Sequence, residues 1–294
     1  MNLKEALLGG KFAVTSEMAP PKGTDMSEVK EKTKLVLDLV DGINVTDMQS
    51  AVLRVTSLAT CKVMKDLGAD PVFQITCRDR NRLAMQGELL SVAVMGINNV
   101  LVLTGDHPQA GDHPEAKPVF DFDSVSFLQM VSKLMSGQDM TDHPLTGVPN
   151  FFLGASVTPK MDPLEPQIIK SKKKVQAGAK FFQTQGVYDM DTMKTYMDAV
   201  KPYLGDTKVM AGIIPLKSAG MAKFMNKNIP GINIPQNIID RMAAATDAVE
   251  EGIKIAGEFI DELKQSGVVD GVHIMAIGAE ERVPDIMRAG GLIK

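Results

Sequence analysis

The 294-residue sequence contains no tryptophan, three tyrosines, two cysteines, four histidines and no long apolar run. Each scarcity excludes a class of protein. Cys61 and Cys77 are too few for a disulfide framework or a four-cysteine metal cluster. His107, His113, His143 and His273 show neither HxxxH nor HxH spacing, so no metal centre is expected. The apolar runs break within about ten residues, too short for a membrane-spanning helix. The opening MNLKEALLGGKFAV lacks a basic stretch followed by an apolar one, so no secretory signal is read and a cytoplasmic chain is expected. Net charge is small as well. Thirty-two Lys and Arg stand against 36 Asp and Glu, leaving −4, without the basic face that phosphate neutralisation on a nucleic acid requires. With 44% hydrophobic and 23% charged residues the chain has enough apolar surface to fold. Methionine is plentiful at 20 residues, which points to a soft, adaptable core.

Short apolar runs alternate with longer segments of helical period. Strands are expected at Phe12–Glu17, Gly42–Asp47, Pro71–Cys77, Asn98–Asp106, Phe151–Thr158, Phe181–Gln185, Val209–Leu216 and Val272–Gly278. They are nearly continuous in apolar character, as strands buried on both faces are. Helices are expected at Met26–Val40, Ala51–Leu67, Arg80–Met95, Pro166–Ala177 and Met190–Tyr203, with one longer helical block, Ile234–Gln265, before the last strand. Eight strand–helix units imply a (β/α)8 barrel of the α/β class, residues 1–294 forming one domain with an extra helical segment before its last strand. An open doubly wound sheet is the rival. It calls for a Gly-rich phosphate loop, and neither GxGxxG nor GxxxxGK[ST] occurs. Loops rich in turn formers are expected at His107–Asp123 and Gly137–Pro149.

In such a barrel the C-terminal strand ends carry the chemistry. Those ends supply Glu17, Asp47, Gln74, Thr76, Asp106, Ser156 and Gln185. Glu17 reads either as a general acid in a partly desolvated mouth or as a carboxylate paired with a neighbour. Asp106 reads as a site acid or a turn residue, and Asp47 as a helix N-cap near Ser50. The run Lys170–Lys174 is a solvated helix face or a phosphate site near a helix start. No G-x-S-x-G elbow surrounds Ser124 or Ser156, so a serine nucleophile is not expected.

Several segments together resemble the methylenetetrahydrofolate reductase family: SEMAPPKG at Ser16–Gly23, VTDM at Val45–Met48, NNVLVLTGDHP at Asn98–Pro108, KKKVQAGAKFFQTQGVYD at Lys172–Asp189 and AGIIPL at Ala211–Leu216. They occur in the family's order along nearly the whole chain. The resemblance implies a flavoprotein barrel that reduces 5,10-methylenetetrahydrofolate to 5-methyltetrahydrofolate by hydride transfer from reduced flavin N5. It implies Glu17 as the general acid that assists ring opening to a 5-iminium, Asp106 beside flavin and pterin, and Gln185 on the pterin. Flavin contacts are implied at Thr46, Gly105, Phe120, Lys173 and Lys174, with the lysines near phosphate. Gln74 and Thr104 stand where many bacterial members have His and Arg that hold the flavin, so FAD is expected with FMN as the alternative. Lys217-Ser218-Ala219-Gly220 follows the strand ending IIPL, and Ala219 stands where the family commonly has a stacking aromatic. Direct use of NAD(P)H is therefore not expected. Electron delivery through a partner subunit, in an oligomer or hetero-complex, is expected instead. Three rivals remain: a flavin-binding scaffold subunit, a flavin-free barrel methyltransferase serving a pterin and a corrinoid, and an interaction module using a methionine-rich surface.

Overall fold

The computed structural model describes residues 1–294, and all eight expected strands form. They are β1 (Ala13–Met18), β2 (Gly42–Val45), β3 (Pro71–Thr76), β4 (Asn99–Leu103), β5 (Phe152–Val157), β6 (Phe181–Gly186), β7 (Lys208–Ile213) and β8 (Gly271–Ile274). All neighbours pair in parallel and in chain order, and β8 closes on β1 with Thr15 opposite His273. This is the (β/α)8 barrel. Eleven helices accompany it: α1 (Leu3–Leu8), α2 (Ser27–Val36), α3 (Ser57–Asp66), α4 (Arg82–Val94), α5 (Ser124–Met135), α6 (Glu165–Gln176), α7 (Met190–Leu204), α8 (Ala219–Asn228), α9 (Gln236–Ala244), α10 (Ala248–Ser266) and α11 (Val283–Ala289).

The expected helical block Ile234–Gln265 is two helices, not one. The chain leaves helical geometry at Ala245, and the Asp247 carboxylate caps the next helix by accepting from the N–H groups of Val249 and Glu250. A run of helical period cannot by itself reveal a break whose cause is a side-chain cap.

Alternation along the strands sets two cores. Outward residues such as Val14, Ile43, Phe73, Val100, Phe182 and Val272 pack against the helix ring. Inward residues fill the barrel. Its lower half is apolar, built from Ala13, Val72, Leu101, Phe152, Phe181 and Met210, and α1 closes the N-terminal end with Leu3, Ala6 and Leu7. An Asn2–Glu5 capping box starts that short helix. Carboxylates fasten the same end: Asp70 accepts from the Leu3 N–H (3.0 Å) and Asn99 Nδ2 (2.9 Å), and Asp41 from the Val14 N–H (3.0 Å) and Lys11 Nζ (2.6 Å). No helix is long and apolar enough to cross a membrane.

Space inside the barrel is shared unequally between facing strands. The Phe181 ring stacks on Phe152 with centroids 5.0 Å apart and occupies the place where Gly154 would carry a Cβ, 2.3 Å from the ring. Gly154→Ala must therefore displace a buried aromatic pair. It should destabilise the fold by about 1–3 kcal/mol, measured as a lowered urea midpoint at unchanged slope.

Candidate active site

The upper half of the barrel interior is polar. Above the apolar layer the inward positions read Thr15 and Glu17 on β1, Asn44 on β2, Gln74 and Thr76 on β3, Ser156 on β5, Gln183 and Gln185 on β6 and His273 on β8. Most of them surround a cavity of about 380 Å³ at the C-terminal mouth, together with Thr46, Leu103, Thr104, Gly105, Asp106 and Met275.

Glu17 is buried on the cavity wall. Gln74 Nε2 stands 3.3 Å from Oε2 and Gln49 Nε2 3.4 Å from Oε1, both long hydrogen bonds, while His273 Nε2 is 3.5 Å from Oε2. No cation with a permanent charge faces this carboxylate; its polar neighbours are the two amides and the imidazole. Asp47 differs. It accepts from the Thr76 N–H (2.9 Å) and Oγ1 (3.0 Å) and from both Arg80 terminal nitrogens (2.8 and 3.1 Å). Its two oxygens are committed, so it is a structural anion and not the helix cap that its position suggested.

The mouth loops are tied down by Arg78, whose buried guanidinium donates to the Met48 carbonyl (3.2 Å) and the Asp106 carbonyl (3.3 Å). Met48, Ser50 and Ala51 all take left-handed φ values, 47°, 55° and 56°, which a non-glycine residue holds only when its surroundings insist. Gly111 supplies part of that insistence by letting the backbone approach, since a Cβ there would lie 1.8 Å from the Ala51 oxygen. Gly105 also has positive φ (87°), and a Cβ would meet Thr76 Cβ at 2.9 Å. Asp106, next to it, is exposed at the rim.

An irregularity between β6 and β7 brings Gln185 to the mouth. The register shifts between Gln183 and Gly186, and Thr184 Oγ1 fills the gap by accepting from the Gly212 N–H (2.8 Å) and donating to the Gln185 carbonyl (2.7 Å). Gln185 Oε1 accepts from the Gly186 N–H at 3.1 Å.

The sequence family model for "Methylenetetrahydrofolate reductase" matches residues 2–291. The chain belongs to that family. It is 24% identical over 281 residues to the 5,10-methylenetetrahydrofolate reductase of Escherichia coli K12, covering 92% of this chain and 88% of that protein. It is 28% identical over 236 residues to methylenetetrahydrofolate reductase 2 of Schizosaccharomyces pombe, 74% of this chain and 35% of that protein. The chain spans about a third of the length of its fission yeast and Caenorhabditis elegans relatives. Among solved structures, a Clostridium thermocellum protein that binds two copies of 5-methyl-5,6,7,8-tetrahydrofolic acid superposes with TM-score 0.64 at 17% identity, over 99% of this chain and 96% of that one, a likeness of fold.

Of the residues implied by the reductase resemblance, the structure brings Glu17, Thr46, Gln74, Thr104, Gly105, Asp106 and Gln185 to one cavity. Phe120 lies in the β4–α5 loop with its ring 6.4 Å from His107, and does not line that cavity. Lys173 is exposed in the last turn of α6. Lys174 is buried and donates to the Ser156 carbonyl at 2.6 Å. The lysine run thus occupies the second half of α6 and not its start. Sequence reasoning passed over Thr15, Asn44, His273, Gln49 and Arg78. The first three could have been found by extending the two-residue period through β1, β2 and β8, whereas Gln49 and Arg78 act through loops.

Burial pushes the Lys174 ammonium down to about 8, Lys170 adding to the effect and Asp123 opposing it. Burial likewise lifts the neighbouring Cys77 thiol to about 12. Below pH 8 Lys174 is charged in both folded and unfolded chains, and the native state bears the desolvation cost. Between 8 and the unfolded value of 10.5 only the unfolded chain holds the proton, so native stability rises. Relative to Lys174→Met, the parent should gain about 3 kcal/mol across that interval, read from urea midpoints of both proteins at matched pH.

Proposed function

We propose that this chain is a flavin-dependent reductase that converts 5,10-methylenetetrahydrofolate to 5-methyltetrahydrofolate in one-carbon metabolism. The observation that carries the reading is the convergence of Glu17, Asp106 and Gln185 on one cavity in a chain matched along nearly its whole length by the reductase family. The cavity walls fit a flavin. Thr46 Oγ1 is buried there without any hydrogen-bond partner, and a buried hydroxyl left unpaired costs about 1–3 kcal/mol unless a ligand engages it. Gly105, on the same cavity wall, lets the β4 loop backbone lie close over Thr76 and Arg78. Thr46, Gln74, Thr104, Gly105 and Asp106 would hold the isoalloxazine. Lys174 would reach a phosphate by giving up the Ser156 carbonyl, and Phe120 and Lys173 receive no part. FAD is the first assignment and FMN the second. When bound, the flavin supplies the two-electron chemistry.

The protein's own share is acid catalysis and orientation. Glu17 delivers a proton to the leaving nitrogen as the imidazolidine ring of the substrate opens. Gln74, Gln49 and His273 surround the carboxylate that remains. Gln185, its Oε1 engaged by the Gly186 N–H, has Nε2 free for the pterin edge, and Asp106 on the β4 loop would meet the same ligand across the cavity lining. The cavity lining contains no Phe, Tyr or Trp, and its apolar members are aliphatic, Met48 and Met275 among them. Ala219 at the start of α8 leaves the position expected to stack a nicotinamide without a ring. We therefore assign electron delivery to a partner subunit in a hetero-complex.

The decisive experiment is anaerobic: reduce the bound flavin of the purified protein, add methylenetetrahydrofolate and follow the visible spectrum. Return of the oxidised band supports the reading, and a flavin that stays reduced overturns it. Glu17→Gln should keep flavin yet slow this half-reaction by about 10²–10⁴, whereas a parent-like rate would make Glu17 structural. Thr46→Val should weaken flavin retention about tenfold while leaving the unfolding midpoint of flavin-free protein equal or higher. Unchanged retention would take the hydroxyl out of the flavin site.

A further inference from the structure

Below Glu17 a chain of buried polar side chains crosses the barrel, its Gln183 and His273 ends reaching the floor of the mouth cavity. Asn44 and Gln183 face each other amide to amide, Asn44 Nδ2 donating to Gln183 Oε1 at 2.6 Å and Gln183 Nε2 donating to Asn44 Oδ1 at 3.1 Å. Gln183 Nε2 also donates its second proton to Thr15 Oγ1 at 3.0 Å. Thr15 Oγ1 lies 2.9 Å from His273 Nδ1, and His273 Nε2 lies 3.5 Å from Glu17 Oε2. Thr15, Asn44, Gln183 and His273 are all buried. Thr15 and Asn44 do not line the cavity, and polar groups this deep are costly unless fully paired.

We propose that the Asn44–Gln183 amide pair sets the tautomer of His273 and, through it, the state of Glu17, making Gln183 and Asn44 positioning residues for the acid. The orientation of the amide pair sets the direction. With Oε1 turned to Asn44 Nδ2, Gln183 offers Thr15 an N–H, so the Thr15 hydroxyl accepts there and points its own proton at His273 Nδ1. Nδ1 is then the acceptor and the imidazole proton resides on Nε2, the nitrogen 3.5 Å from Glu17 Oε2. A neutral imidazole in this tautomer stabilises the Glu17 carboxylate that remains once the proton has been given away. The opposite tautomer would turn a lone pair on that carboxylate and disfavour its release of the proton. The catalytic part of this inference rests on the reductase reading above, whereas the tautomer assignment does not.

The test inverts one donor. Gln183→Glu keeps shape and still accepts from Asn44 Nδ2, but its carboxylate offers Thr15 no proton. The Thr15 hydroxyl must then donate to residue 183 and accept from His273 Nδ1–H. Two-bond ¹H–¹⁵N correlation spectra of ¹⁵N-histidine-labelled full-length protein should show the His273 proton on Nε2 in the parent and on Nδ1 in Gln183→Glu. Gln183→Leu and Thr15→Val, which remove the director without replacing it, should give a mixture of both. The folate half-reaction of Gln183→Glu should slow at least tenfold, part of the roughly 10²–10⁴ that a positioned acid supplies, with flavin retention unchanged. An Nδ1–H parent, or a tautomer indifferent to all three substitutions, overturns the proposal whatever the enzyme does. A tautomer that switches as expected with an unaffected half-reaction would keep the tautomer assignment and overturn its catalytic link. A switch in a protein that reduces no folate at all would place the fault in the reductase reading and leave the tautomer assignment standing.

Discussion

The closure of β8 onto β1 is the constraint on which the site depends. Registering Thr15 against His273 turns the inward parity of the last strand toward that of the first, and Glu17, two residues above Thr15, inherits His273 as a neighbour. The two residues are 256 positions apart in sequence, so nothing local could have paired them. The same parity carries an apolar floor, from Leu3 to Phe181, and a polar upper storey in one barrel. A barrel interior that changes character with height is possible because each strand contributes only two or three inward residues, and the lowest of them can be apolar while the highest is not.

That division keeps stability and chemistry apart. The floor combines aromatic stacking, a helical plug and the Asp41 and Asp70 carboxylates, each satisfied by backbone N–H groups and side chains. The upper storey leaves one hydroxyl orphaned at Thr46 and holds Glu17 among long, weak contacts, while three residues of the β2 loop stay in left-handed backbone. These are the features that a ligand can complete. Arg78 and Arg80 reconcile the two. One ties loop carbonyls together, and the other neutralises Asp47, so the only acids left for chemistry at the mouth are Glu17 and Asp106.

The placing of charge around Lys174 shows how burial changes a residue's meaning. Four lysines among five residues, Lys170–Lys174, read as a helical surface or an anion site. Helical period puts Lys173 in solvent and turns Lys174 onto the sheet, where a single carbonyl and a low-dielectric setting take the place of water. Adjacent residues in one motif thus have opposite environments, and the motif as a string of letters cannot distinguish them.

Strand and helix order, the barrel, and the polar residues Glu17 and Gln185 at strand ends were legible in the amino-acid sequence, because buried strands and amphipathic helices write their periods locally, whereas Asp106 lies in the loop three residues beyond the end of β4. So was membership of the reductase family, through segments whose order survives at low identity. The break between α9 and α10, the commitment of Asp47 to Arg80 and Thr76, the exclusion of Phe120 from the cavity and the amide chain from Asn44 to His273 were decided by tertiary structure. Each depends on distances between strands or loops far apart in sequence, and on how many donors and acceptors meet at one point. Sequence determines which groups are present and which face each occupies. Only closure of the barrel decides which of them meet, and therefore where every buried proton must go.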